Sequence, residues 1–196
     1  MYRFTGFTQK ANDALNGAIT AAENLGHAYV GSEHILLGLL NEKGGMAYAA
    51  LSAKKVTFEK VEAVIKSGIG IGSPTVLSPN DFTPRAKNII DTAIVQGRGM
   101  GHSYIGTEHI LMGLIREGTS AATEILSQLG VAPQELLKDL TQALGSASSS
   151  KGSSQGEANA KEIFIYSSDD VVFLVIGIHT VDFIEQRGEF CCINMQ

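Results

Sequence analysis

Two short clusters in this 196-residue chain carry groups that could grip a ligand: Ser32-Glu33-His34 and Thr107-Glu108-His109. A second histidine, His27 or His102, precedes each. A hydroxyl and an acid at the start of a helix sit beside free backbone N–H groups and the positive end of the helix dipole, a setting that attracts phosphate. A neighbouring carboxylate can hold a guanidinium through a two-pronged bond. The same residues also read as an ordinary helix start, with Ser32 or Thr107 as cap and Glu33 or Glu108 as a dipole-favoured acid. The histidines raise the question of metal, for which zinc wants three or four converging ligands. Glu33 and His34 are expected to diverge as helix neighbours, and no H-E-x-x-H is present. His27, His34, His102 and His109 are therefore expected to bond backbone or adjacent side chains. Tyr29 and Tyr104 are expected to pack against neighbouring helices with their hydroxyls bonded. The only cysteines, Cys191 and Cys192, are adjacent, which suits neither a fold-stapling disulfide nor a metal spacing.

The elements that position these groups come from an internal duplication. Gly26-His27-Ala28-Tyr29-Val30-Gly31-Ser32-Glu33-His34-Ile35-Leu36-Leu37-Gly38-Leu39-Leu40 returns at an offset of 75 residues as Gly101-His102-Ser103-Tyr104-Ile105-Gly106-Thr107-Glu108-His109-Ile110-Leu111-Met112-Gly113-Leu114-Ile115. The same offset relates Phe7-Thr8 to Phe82-Thr83, Leu51 to Leu126, Val56 to Val131 and Gly70 to Gly145. About a third of the paired positions are identical, so the chain holds two copies of one unit, 7–70 and 82–145.

Each copy reads as four helices. Ala11, Leu15, Ala18, Ala22 and Leu25 recur at steps of three and four, with Thr8 as cap and Gly26 as the left-handed stop. In the second copy Thr83 caps, Pro84 takes the first helical position, and Ala86, Ile89, Ile90, Ala93, Ile94 and Met100 form the stripe. The next helices begin at Ser32 and Thr107 and contain Gly38 and Gly113, placed where another helix comes close. Third helices are expected around 46–54 and 119–129, and fourth helices around 57–67 and 133–144. The fold class is thus all-α, two tandem four-helix repeats packed as pseudo-twofold mates. The expected segments are 1–70, a linker 71–81 with loop chemistry, 82–145, a Ser/Gly-rich linker 146–161 and a tail 162–196 with two β-like runs.

A net charge of -5 and no run of Lys and Arg weigh against nucleic acid. The apolar run from Val171 to Ile178 is far shorter than the roughly 20 residues that span a bilayer. With no secretory pattern at Met1-Tyr2-Arg3-Phe4, the expected location is cytoplasmic.

The repeated G-H-x-Y-[VI]-G-[ST]-E-H-I-L-x-G-L, preceded by F-T-x-[KR]-A, resembles the N-terminal repeat domain of Clp-type AAA+ unfoldases, most closely the ClpC type, over residues 1–145. The resemblance implies a helical pseudo-dimer that receives adaptor proteins and protein clients above an ATPase ring. It implies phosphoarginine recognition at Ser32, Glu33, Thr107 and Glu108. It also places Phe4, Phe7 and Phe82 beside a groove for adaptors or small ligands, although these rings serve equally as staples on their own helices. Val76 and Leu77 are further candidates for an exposed apolar contact. The chain departs from the family in lacking the phosphate-cradling G-x-x-x-x-G-K-[ST] that an ATPase module needs. The expectation is a non-catalytic binding module without cofactor or metal, acting on adaptors, clients or a full-length Clp ATPase. The alternatives are a small-molecule or metal-dependent enzyme on a helical scaffold, and a truncated, non-functional gene product.

Overall fold

The computed structural model describes residues 1–149 and two strands, 164–168 and 171–175. Contacts divide the chain into two compact units, Met1–Ser153 and Ser154–Gln196. Within the second, β1 (Phe164–Ser168) and β2 (Val171–Val175) form an antiparallel pair with Phe164 opposite Val175. The remainder of 150–196, including Cys191, Cys192 and most of the Ser/Gly-rich stretch 146–161, lies outside the described residues.

The first unit contains eight α-helices: α1 (Gln9–Asn24), α2 (Ser32–Asn41), α3 (Met46–Ala53), α4 (Phe58–Gly68), α5 (Pro84–Gly99), α6 (Thr107–Arg116), α7 (Ala121–Gln128) and α8 (Pro133–Ser149). Pairing them at the 75-residue offset matches α1 to α5, α2 to α6, α3 to α7 and α4 to α8. The hydroxyls of Thr8 and Thr83 accept from Ala11 and Ala86 N–H, and Pro84 sits inside the α5 start, as expected. Gly26 takes φ +70° and Gly101 φ +75°, the left-handed turn that stops the first helix of each copy. α8 runs four residues past Gly145, where the sequence places the end of the unit, because no proline interrupts it. Pro79–Asp81 of the linker forms a single 3-10 turn, closed by Ser78 and Asp81 side chains.

α2 and α6 are the centre of the fold. Every residue from Ser32 to Leu40 is buried, so α2 is covered on all sides rather than along one stripe. It packs against α1, α3 and α4 of its own repeat and α5, α6 and α7 of the other. Gly38 is what lets α1 approach: a methyl there would overlap the Ala14 carbonyl oxygen and lie 2.7 Å from Ala18 N. Gly113 repeats the device: a methyl there would lie 2.5 Å from the Ile89 carbonyl oxygen.

The repeats are stitched by reciprocal backbone bonds. Phe7 forms a parallel bridge with Ile105, and Val30 one with Phe82. Thr8 N–H donates to Ile105 O at 2.9 Å and Thr83 N–H to Val30 O at 3.0 Å. Ile105 N–H donates to Gly6 O and Val30 N–H to Asp81 O. The segment entering the first helix of each repeat therefore pairs with the loop entering the second helix of the other, which brings helix starts from both repeats together.

Candidate functional site

The residues capping α2 and α6 are glycines, Gly31 and Gly106, and the hydroxyls one position later act across the repeat boundary. Ser32 Oγ accepts from Ala122 N–H in α7 at 3.3 Å, and Thr107 Oγ1 accepts from Ala47 N–H in α3 at 3.3 Å. This corrects the reading of Ser32 and Thr107 as caps of their own helices: each supplies an acceptor to an orphan donor in the opposite repeat. The need is clearest in α3, whose cap residue is Gly45 and has no side chain to offer.

Beside Thr107 lies a cleft of about 290 Å³. Three helix starts open into it: Thr8 of α1, Gly44, Gly45 and Met46 of α3, and Gly106 and Thr107 of α6. Each start contributes a partial positive charge of roughly half an electron. Lys10 adds a full one, its ammonium held 2.6 Å from Gly44 O. Glu108 supplies the opposing carboxylate, with its side chain 17% exposed and 3.5 Å from the Thr107 hydroxyl. The 75-residue offset carries this arrangement to Thr83, Arg85, Thr119, Ser120, Ser32 and Glu33. Arg85 there donates to Thr119 O, as Lys10 does to Gly44 O, and also faces Glu117 at 3.6 Å. Glu33 is the more enclosed acid, 3% exposed. Burial pushes its carboxyl above the usual range, against the lowering effect of its own backbone N–H, the Ser32 hydroxyl and His27.

The histidines form a relay that is complete in the first copy. Gly31 N–H donates to His34 Nδ1 at 2.9 Å, so that nitrogen must accept. His34 Nε2 then donates to His27 Nδ1 at 2.8 Å, and His27 Nε2 to Gly70 O at 3.1 Å. Gly106, His109 and His102 repeat the first two steps at 2.9 and 2.8 Å. These bonds to backbone and neighbouring rings are those the sequence implies. Burial, followed by His27, lowers the His34 pKa to about 3. Burial also lowers His109, with Glu108 opposing and His102 reinforcing. Glu33 does not diverge from His34: its Oε1 lies 3.4 Å from Nδ1. Because Nδ1 is already an acceptor, this approach is not an ion pair. Among the described residues no three His, Cys, Asp or Glu side chains gather as metal ligands do.

Phe4, Phe7 and Phe82 come together, with Phe4 edge-on to Phe7 at 6.3 Å and to Phe82 at 6.1 Å. Phe7 and Phe82 are buried, and only Phe4 is half-buried. Asn12 holds this arm on α1, accepting from Phe4 N–H at 2.6 Å and donating to Phe7 O. The linker residues part company: Val76 is 91% exposed, whereas Leu77 is buried and its N–H bonds Glu23. Tyr29 and Tyr104 are 38% and 48% exposed rather than packed away, and Tyr29 stacks on His27 at 5.8 Å. The sequence reading did not single out Lys10 and Arg85, although a cation follows Phe-Thr-x in both copies.

A duplicated four-helix unit with matching helix-start clusters at its repeat boundary defines the class as a tandem-repeat all-α domain. The chain belongs to the Clp repeat (R) N-terminal domain family, which it matches over residues 6–81 and 81–164. It is 39% identical over 183 residues to the negative regulator of genetic competence ClpC/MecB of Bacillus subtilis (strain 168), an alignment covering 89% of this chain and 22% of that protein. The chain thus spans about a fifth of that relative's length. The N-terminal domain of the chaperone ClpD from Arabidopsis thaliana superposes with a TM-score of 0.61 at 27% identity, covering 74% of this chain and 97% of that one. A ClpV N-domain solved in complex with a VipB peptide shares the fold at a TM-score of 0.53 and 16% identity, covering 71% and 88%. Among the described residues no helix is long and apolar enough to cross a membrane.

Proposed function

We propose that this chain is a non-catalytic capture module that receives protein clients and adaptors for a Clp ATPase, and that the cleft at Thr107–Glu108 and the equivalent cluster at Ser32–Glu33 read a phosphorylated arginine side chain. The observation that carries this is the convergence of three helix starts, Lys10 and Glu108 on one cleft. Free N–H groups and a cation suit a phosphoryl group. The carboxylate suits the guanidinium to which that group is attached. The module works without chemistry: His34 and His109 spend both ring nitrogens on a neighbouring histidine and on backbone, leaving neither as a free base. The half-buried Phe4, with Tyr2 and Met1 exposed before it, is the accessible part of the aromatic arm and the proposed adaptor contact.

Calorimetric titration of phosphoarginine into the full chain tests the reading. Saturable binding is expected, lost in a Glu33→Gln/Glu108→Gln variant and weakened at least tenfold by Lys10→Ala/Arg85→Ala. Absence of binding by the unmodified chain removes the tag reading and leaves Glu33 and Glu108 as helix-start acids.

A further inference from the structure

A second cleft, of about 510 Å³, lies on the second repeat where the end of α6, α7 and the start of α8 meet. Its lining includes Ile115, Thr119, Thr123, Glu124, Ser127 and Pro133. It shares no residue with the Thr107–Glu108 cleft, and it meets the Ser32–Glu33 cluster only at Thr119.

The duplication supplies an internal reference for what this space is shaped to hold. Ile115 has its counterpart in Leu40, and both are buried, so the two repeats share the same apolar floor. Above that floor the first repeat carries Tyr48 on α3 and Phe58 at the start of α4. Both rings are half-buried, and Phe58 packs against the core. At the equivalent positions the second repeat has Thr123 and Pro133. The helices that frame the space are matched, but the two aromatic residues that the first repeat carries at these positions are missing from the second. Aromatic rings dominate the energetics of such contacts because each buries a large apolar area. The second repeat also gains a charge at this rim: Glu124, exposed in the first turn of α7, stands where the first repeat has Ala49.

We propose that this cleft receives an aromatic side chain of a partner polypeptide, with a lysine or arginine next to it meeting Glu124. The ring takes the place that Tyr48 and Phe58 fill by themselves in the first repeat. Among the described residues this site belongs to the second repeat alone, unlike the helix-start clusters, which recur in both.

The chain contains no tryptophan, so a tryptophan peptide can be followed without background from the protein. The probe is acetyl-Lys-Trp-Lys-amide, titrated with the full chain and read by fluorescence anisotropy. Saturable binding at one site per chain is expected, displaced by acetyl-Lys-Phe-Lys-amide but not by acetyl-Lys-Ala-Lys-amide or phosphoarginine at equal concentration. Thr123→Tyr/Pro133→Phe, which copies the first repeat's own filling, should weaken binding at least tenfold. Ser127→Phe, at an exposed position on the mouth, should do the same; it gives up the Ser127 hydroxyl's bond to Thr123 O but leaves the bonds of the Thr123 hydroxyl in place. Equal displacement by the alanine peptide would reduce the effect to attraction between a cationic peptide and an acidic chain and overturn the proposal. Unchanged binding in both filled variants would overturn it as well, as would no binding at all. Displacement by phosphoarginine would assign the peptide to the other cleft.

Discussion

Replacing Gly45 by serine should weaken the fold, and replacing Thr107 by serine in the same chain should restore it. A side chain at position 45 would place its first carbon 2.8 Å from Thr107 Oγ1 and 3.0 Å from Thr107 Cγ2. Thr107 is 2% exposed and its hydroxyl caps Ala47 across the repeat boundary, so it cannot turn away without giving up that bond. Overpacking of this kind costs about 1–3 kcal/mol. A serine at the cap position returns only a few tenths of that relative to glycine. The expected net loss for Gly45→Ser is therefore about 1–2 kcal/mol. Thr107→Ser removes the methyl at 3.0 Å, and the hydroxyl at 2.8 Å, no longer tied to it, can shift off the new side chain while still facing Ala47 N–H, as Ser32 faces Ala122 N–H beside Ser120. The double variant then reproduces the Ser32–Ser120 pairing that the other half of the molecule already uses. Urea unfolding of the parent, both single variants and the double variant closes the cycle. A coupling energy of about 1–2 kcal/mol in the compensating direction is expected, with the denaturant slope unchanged. Additive effects within about 0.5 kcal/mol would refute the claim that these two residues press together across the repeat boundary.

Gly38→Ala should cost about 2 kcal/mol or more by the same unfolding assay, since the added methyl meets α1 backbone and the roughly 1 kcal/mol gain in helix propensity does not offset that. The buried His34 has its pKa lowered from 6.5 to about 3, so its contribution to stability is fully present above pH 6.5 and is lost as the pH falls through that window. His109 acts in the same direction, and Glu33, whose pKa is raised, opposes both. The unfolding free energy from urea titration should therefore fall between pH 7.5 and pH 5.5, by an amount on the order of 1 kcal/mol, and His34→Gln should flatten the dependence. The first repeat alone, residues 1–75, should show no cooperative unfolding transition. Val30 loses both backbone partners and α2 loses the α5, α6 and α7 surfaces that bury it, which circular dichroism during urea titration would reveal.

The duplication made the helices legible, because a spacing read once in α1 could be checked against α5. Gly38 and Gly113 were readable for a similar reason: a glycine inside an apolar helix in both copies calls for a close neighbour. What the sequence did not reveal is the exchange between repeats. Nothing local to Ser32 says that its hydroxyl serves Ala122 rather than its own helix, since that bond joins residues 90 positions apart. The approach of Glu33 to His34 was hidden too, because it depends on the Gly31 turn that aims His34 Nδ1 back at its own helix start. Leu77 looked as free as Val76 until the Glu23 carboxylate was seen to hold its backbone. Of the site, the hydroxyl and acid were legible as a helix start. The cation was visible in both copies but is assigned to the cleft only by the reach of Lys10 to Gly44 O.

The most direct test of the central claim is to map phosphoarginine onto the full chain by the backbone amide shifts of an isotope-labelled sample. The account predicts saturable changes concentrated at Gly45, Met46, Gly106, Thr107 and Glu108 and at their counterparts across the 75-residue offset. Shifts that are absent there, or largest at the separate cleft around Thr123 and Ser127, would contradict it.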